Sequence, residues 1–138
     1  MEKKDLLKDV IKHIDIKSYN STELVDAMRN MSFTSRDTAR AADILMMMCK
    51  EKECTNILTL AGSTSAAGCM QVYVDMVRNK MIDVVVATGA SIIDMDLFEA
   101  LGYKHYIGEK ENVIPDTTLR DLYIDRIYDT YIDEEELQ

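Results

Sequence analysis

Two short runs of small and hydroxyl-bearing residues carry the side chains best suited to chemistry: AGSTSAAG at 61–68 and ATGAS at 87–91. Small side chains let a ligand approach the backbone closely, and Ser63, Thr64 and Ser65 add hydroxyls suited to phosphate or ribose oxygens. The second run repeats this composition around Thr88, Gly89 and Ala90, and Asp94 and Asp96 follow it. A carboxylate at such a position either binds a ribose hydroxyl or an amine, or caps the helix that begins there. The first run also has two readings, because small residues permit tight packing of a strand on a helix. It is not a P-loop, lacking the Gly-Lys-Ser/Thr ending, and it does not fit GxGxxG.

The remaining reactive side chains form no recognisable constellation. His105 lies in YKHY with neither an orienting partner nor a nucleophile evident, and reads as a structural or surface histidine. Cys49, Cys54 and Cys69 sit among apolar neighbours without a CxxC pair, and His13 and His105 are far apart. They read as reduced, buried thiols, with no metal site expected. GxSxG and HExxH are absent.

The elements around the two runs explain how they are positioned. Residues 56–60 are nearly all apolar and residues 82–87 (IDVVVA) are rich in β-branched side chains, which predicts two strands buried on both faces of a parallel sheet. Each strand stops at one of the runs. Met70, Val74 and Val77 give 67–80 helical spacing, and 94–101 reads as a short helix ended by Gly102 in an αL cap. A helical connection of about 20 residues between such strands is the right-handed crossover of a parallel sheet. Both runs then lie at carboxyl ends of neighbouring strands, where open α/β sheets bind nucleotides and other anions.

Upstream, Leu6, Leu7, Val10, Ile11 and Ile14 form an apolar stripe that predicts a helix over 2–13. A second helix follows Ser21, carrying Leu24, Val25, Met28 and Met31. Thr34 is placed to cap a third, with Asp37 reaching back, and Met46, Met47 and Met48 read as core filling along it. Downstream of Pro115 the pattern is ambiguous: Leu119, Leu122 and Arg126 suit a helix, whereas RIYDTYI alternates like a strand. Asp133, Glu134, Glu135 and Glu136 resemble the first turn of a helix. The reading divides the chain into an N-terminal helical segment, 1–52, and an α/β portion, 53–138.

A chain of 138 residues is long enough for one domain with its own core. The net charge of −9, from 25 acidic and 16 basic residues, speaks against non-specific nucleic-acid binding. It suits polyamines or a basic protein partner instead. No apolar run approaches the roughly 20 residues of a membrane span, and the N-terminus lacks a signal-peptide core. A cytoplasmic protein is expected.

The stretches LAGSTSAAGCMQVYVDMVRNKMIDVVVATGASIIDMDLFEALGYKHYIG and LYIDRIYDTYIDEEEL resemble deoxyhypusine synthase and its bacterial and archaeal relatives, over approximately Phe33 to the C-terminus. The resemblance implies a Rossmann-like, doubly wound parallel fold that binds NAD. It also implies a homotetramer with active sites between paired subunits. The family's synthase oxidises spermidine, releases 1,3-diaminopropane and passes the aminobutyl group through an enzyme lysine to a lysine of translation initiation factor 5A. Relatives use putrescine and form homospermidine.

Carried over by motif, the resemblance nominates Ser63, Thr64 and Ser65 of the first loop for the cofactor. Thr88 with Gly89 and Ala90 of the second loop, and Asp94 just beyond, join them. Family synthases often carry an Asn in the first loop and this chain has none there, so the alignment can slip by a residue or two. The family's lysine lies in its C-terminal half, and Lys80 and Lys104 stand in no matching context. The resemblance thus implies the N-terminal half of the fold, with no catalytic residue or metal of its own. It implies one subunit of a split enzyme. Its partner, a C-terminal-half or full-length homologous chain, would bring the lysine within a tetramer or larger hetero-oligomer. The alternatives are a non-catalytic regulatory or structural subunit, or a homospermidine-forming relative.

Overall fold

The computed structural model describes residues 1–108 and 113–137. The fold is mixed α/β, with one parallel and one antiparallel sheet. In chain order its elements are α1 (Lys3–Leu6), α2 (Thr22–Met28), α3 (Phe33–Lys50), β1 (Ile57–Leu60) and α4 (Met70–Arg78). Then come β2 (Val84–Ala87), α5 (Gly89–Ser91), α6 (Phe98–Ala100) and β3 (His105–Ile107). α7 (Asp116–Asp121), β4 (Ile124–Ile127), β5 (Thr130–Asp133) and α8 (Glu134–Leu137) complete it. Residues separate into two compact units: Met1–Ile14, Leu60–Gln71 and those from Ala87 onward form one, and Asp15–Thr59 with Val72–Val86 form the other.

The second unit holds α2, α3, most of α4 and the body of the parallel pair. Val84 N–H donates to the Asn56 carbonyl at 3.2 Å, and four residues further on each strand Thr88 N–H donates to that of Leu60 at 3.3 Å. Equal steps on both strands define parallel pairing. Asn56 starts both strands: it is buried, its backbone N–H donates to Asp83 Oδ2 at 2.8 Å, and its side-chain amide donates to the Met81 carbonyl at 3.1 Å. Lys17 reaches Asp75 Oδ1 on α4 at 2.8 Å, and Arg29 joins Asp26 to Asp43, linking α2 to α3.

Two strands cannot cover their own faces. Val84, Val85 and Val86 are 42 %, 40 % and 55 % exposed, so the burial expected on both faces is not met within the described residues. The methionine run departs from expectation for a related reason: Ala39 is the buried position on α3, and Met46 and Met47 face solvent. Cys49 is exposed, and Cys54 and Cys69 half-buried; all three are free thiols, but not buried ones. The third helix starts at Phe33 after Ser32, ahead of the expected Thr34 cap, and Thr34 offers its backbone carbonyl to Thr38 Oγ1 instead.

The first unit is built on the antiparallel sheet β3-β5-β4. His105 pairs with Ile132 and Ile127 with Thr130. Leu6, Ile114, Leu119, Ile124 and Tyr131 form its core, with Leu7, Tyr106 and Leu122 against them. Removing such side chains from water contributes roughly 1.5–3 kcal/mol each, which anchors α1 and the β4–β5 hairpin on one cluster. The ambiguous pattern after Pro115 resolves only partly along its two readings: Leu119 lies in α7, Leu122 and Arg126 lie beyond it, and RIYDTYI is divided by a turn between β4 and β5.

The helix expected over 2–13 stops at Leu6. Beyond it Val10 bridges Tyr106, Ile11 N–H donates to the His105 carbonyl at 2.9 Å, and Ile107 N–H donates to that of Asp9 at 2.7 Å. The stripe therefore supplies a strand-like segment on the free edge of β3. Satisfying that edge outweighs local helix periodicity.

Candidate functional site

The first loop leaves β1 and enters a wide turn, Ser65–Cys69, in which Cys69 N–H donates to the Thr64 carbonyl at 3.1 Å. Gly68 makes this turn feasible. Its φ is +90°, and a Cβ there would meet the Lys12 carbonyl at 3.0 Å. Ile14 N–H donates to the Gly68 carbonyl at 2.9 Å, so the N-terminal segment lies directly against the turn. α4 begins at Met70, where the expected helix over 67–80 has its regular part.

The second loop is helical from its first residues. Thr88 Oγ1 caps it by accepting from Ser91 N–H at 3.3 Å, and Gly89 and Ala90 form an exposed first turn. A wide turn at Ile92–Leu97 carries this helix into α6. Gly102, with φ +107°, ends it as expected: its N–H donates to the Glu99 carbonyl at 3.0 Å, and Tyr103 N–H to that of Phe98 at 3.3 Å.

The two loops are joined directly. Ser91 is buried, and its hydroxyl donates to the Gly62 carbonyl at 2.9 Å while lying 3.1 Å from Thr88 Oγ1. All the residues nominated from sequence fall within this one unit, on these two loops and the helix after the second. They divide by exposure. Thr88, Gly89, Ala90 and Asp94 are exposed, and Ser63 and Thr64 half-buried. Ser65 is 1 % exposed. Thr64 Oγ1 and Ser65 Oγ are buried without a hydrogen-bond partner among the described residues, as is Oδ1 of Asp96. Gly62 and Gly89 have open space where a Cβ would stand, so the backbone of both loops is approachable.

Behind the loops lies a cluster that sequence reasoning missed. The Glu99 side chain is 7 % exposed and bridges two imidazoles. One oxygen takes a hydrogen bond from His105 Nδ1 at 2.5 Å, and the other from His13 Nε2. His13 Nδ1 in turn accepts from Met70 N–H at 3.2 Å. Burial pushes the Glu99 carboxyl up, but the hydrogen bonds from His105 and His13 outweigh it and hold the group below the ordinary glutamate range. His105, read from sequence as structural or surface, is fully buried, its ring edge-on to Phe98 at 5.4 Å. His13 and Glu99 are separated by 86 positions, and no local signal links residues so far apart. Ser91 did carry a signal, as the one hydroxyl in the second run besides Thr88.

The family model for deoxyhypusine synthase matches residues 23–138. The chain belongs to the deoxyhypusine synthase family. A deoxyhypusine synthase-like protein of Caulobacter vibrioides is 64 % identical over 99 % of the chain, and one of Coxiella burnetii is 57 % identical over 99 %. A probable deoxyhypusine synthase 2 of Methanosarcina acetivorans is 38 % identical over 91 %. The matched region covers 37 %, 38 % and 35 % of those three relatives, so the chain spans well under half of their length.

Proposed function

We propose that this chain forms the cofactor-facing part of a deoxyhypusine synthase-like transferase. In this reading residues 53–138 are the first half of a Rossmann-like, doubly wound NAD domain, and 1–52 lead into it. The observation that carries the reading is the joining of two small-residue loops, at the ends of parallel strands, by the Ser91–Gly62 hydrogen bond.

The residues present fit a dinucleotide. Hydroxyls at Thr64 and Ser65 with no partner among the described residues, an approachable backbone at Gly62 and Gly89, and the exposed Asp94 offer donors and an acceptor suited to phosphate and ribose oxygens. Ser63, Thr64 and Ser65 would hold one side of NAD, and Thr88, Gly89, Ala90 and Asp94 the other. When bound, NAD supplies hydride acceptance and return. The chain's own contribution would be to bind and orient: Ser91 keeps the loops in register, and Thr64 and Ser65 keep hydroxyls without a partner among the described residues.

The reaction served would be aminobutyl transfer from spermidine. The lysine that carries the aminobutyl group would come from a homologous partner chain in a cytoplasmic hetero-oligomer. The solvent-facing valines of β2 support a covering partner, because exposed apolar strands seek one. The acceptor would be a lysine of translation initiation factor 5A, or a small amine in a homospermidine-forming relative. A non-catalytic subunit that assembles with a full-length homologue is the second reading, favoured by the same exposed strands.

Calorimetric titration with NAD, combined with a spermidine-dependent transfer assay on the chain mixed with a C-terminal-half homologue, tests this. NAD binding by the chain, and transfer activity only in the mixture, are the expected results. Binding without activity in a well-formed complex supports the non-catalytic reading, and absence of both defeats the proposal.

A further inference from the structure

We propose that Glu99, with His13 and His105, is a positioning relay that fixes the helix after the second loop against the start of the helix after the first. The near ends of the two loops are held by the Ser91 hydroxyl on the Gly62 carbonyl, beside the backbone bond from Thr88 N–H to the Leu60 carbonyl. Links at one end alone leave a pivot. The relay supplies the second point: Met70 N–H, at the start of α4, is held by His13, His13 is held by Glu99, and Glu99 also holds His105 on β3. All of these groups lie in one compact unit.

The chemistry assigns each proton. His13 Nδ1 accepts from Met70, so a neutral His13 carries its proton on Nε2 and donates it to Glu99. An ionised Glu99 requires a proton on His105 Nδ1, and in a neutral ring this leaves His105 Nε2 as a bare lone pair. That atom is buried with no partner among the described residues, and a bare acceptor there costs less than an unsatisfied N–H. The two histidines therefore hold opposite tautomers, both dictated by one carboxylate. Burying a carboxylate between two rings is not the most stabilising way to fill space, since apolar side chains of similar volume do as well or better. Fixed geometry is what the arrangement adds. Its effect on affinity rests on the reading of the two loops as a dinucleotide site; its effect on loop geometry does not.

The test uses the 15N-labelled chain of 138 residues, wild type and Glu99→Gln, each titrated with NAD. Ring 15N shifts are expected to show His13 as the Nε2–H tautomer and His105 as the Nδ1–H tautomer. Glutamine has one acceptor oxygen, so in Glu99→Gln one ring must change tautomer or lose its bond, and the Met70 amide loses protection from exchange. NAD affinity falls about tenfold, the equivalent of one charge-assisted hydrogen bond. A single shared tautomer in the wild type overturns the relay, as does a Glu99→Gln chain with unchanged tautomers, Met70 protection and affinity. If Glu99→Gln does not fold, the wild-type tautomers together with a shift of the His13 ring on adding NAD decide the matter. If NAD does not bind the wild type while tautomers and Met70 protection behave as expected, the relay stands and the dinucleotide reading falls.

Discussion

Ser91, Gly68 and Glu99 are the residues on which the paired loops most depend. Ser91→Ala removes the donor to the Gly62 carbonyl, and a net loss of about 1 kcal/mol in stability is expected by urea denaturation. Gly68→Ala should cost about 3 kcal/mol, because a left-handed φ and a 3.0 Å approach to the Lys12 carbonyl act together. Gly102→Ala has a positive φ and open space, so it should cost only about 1 kcal/mol. Equal losses at the two glycines would contradict this geometry. Because the Glu99 carboxyl is held below its ordinary range, its stabilisation is complete above the unfolded-state pKa and is lost as pH falls through the lower folded-state value. Acid unfolding of Glu99→Gln should therefore be shallower in that window than that of the wild type, as read by circular dichroism. Of these residues only Gly102 was legible as to role, since its part is played within one turn of chain. Glu99 and Gly68 answer to atoms far away in sequence, His13 and Lys12, which periodicity does not register.

At the scale of elements, strands β1 and β2 and helix α4 follow from apolar runs and turn signals that act locally, whereas the turn that divides RIYDTYI between β4 and β5 does not. The N-terminal stripe misled because Leu6, Leu7, Val10 and Ile11 satisfy helical spacing while the edge of β3 needed backbone partners. The hairpin turn holds a removable strain: Tyr128 has φ +56° and is 90 % exposed. Tyr128→Gly relieves the left-handed conformation without loss of packing and should stabilise the chain by about 1 kcal/mol, raising Tm by roughly 4 °C. A lowered Tm would mean that this side chain has a partner. No helix among the described residues is long and apolar enough to cross a membrane.

On the scale of the whole molecule, the family match and the exposed valines of β2 make one argument. Relatives carry the same region within chains more than twice as long, and the parallel pair is open here on faces that such sheets usually cover. The isolated chain is expected to self-associate with rising concentration in light scattering. Val86→Lys, on an exposed strand position, should suppress this while leaving the circular dichroism spectrum intact. The family match begins at residue 23, yet residues 9–14 are hydrogen-bonded to β3, Gly68 and Glu99. That stitching has a consequence in time. His13 emerges 86 positions before the carboxylate that holds it, and Ile11 before the whole of the strand edge it joins. During synthesis residues 9–14 must wait for these partners until β3 has been made. Closing so long a loop costs little in final stability, because its entropy grows only with the logarithm of its length. The cost falls on the rate, since contacts this distant form late. The N-terminal segment should be the last part of its unit to gain exchange protection on refolding.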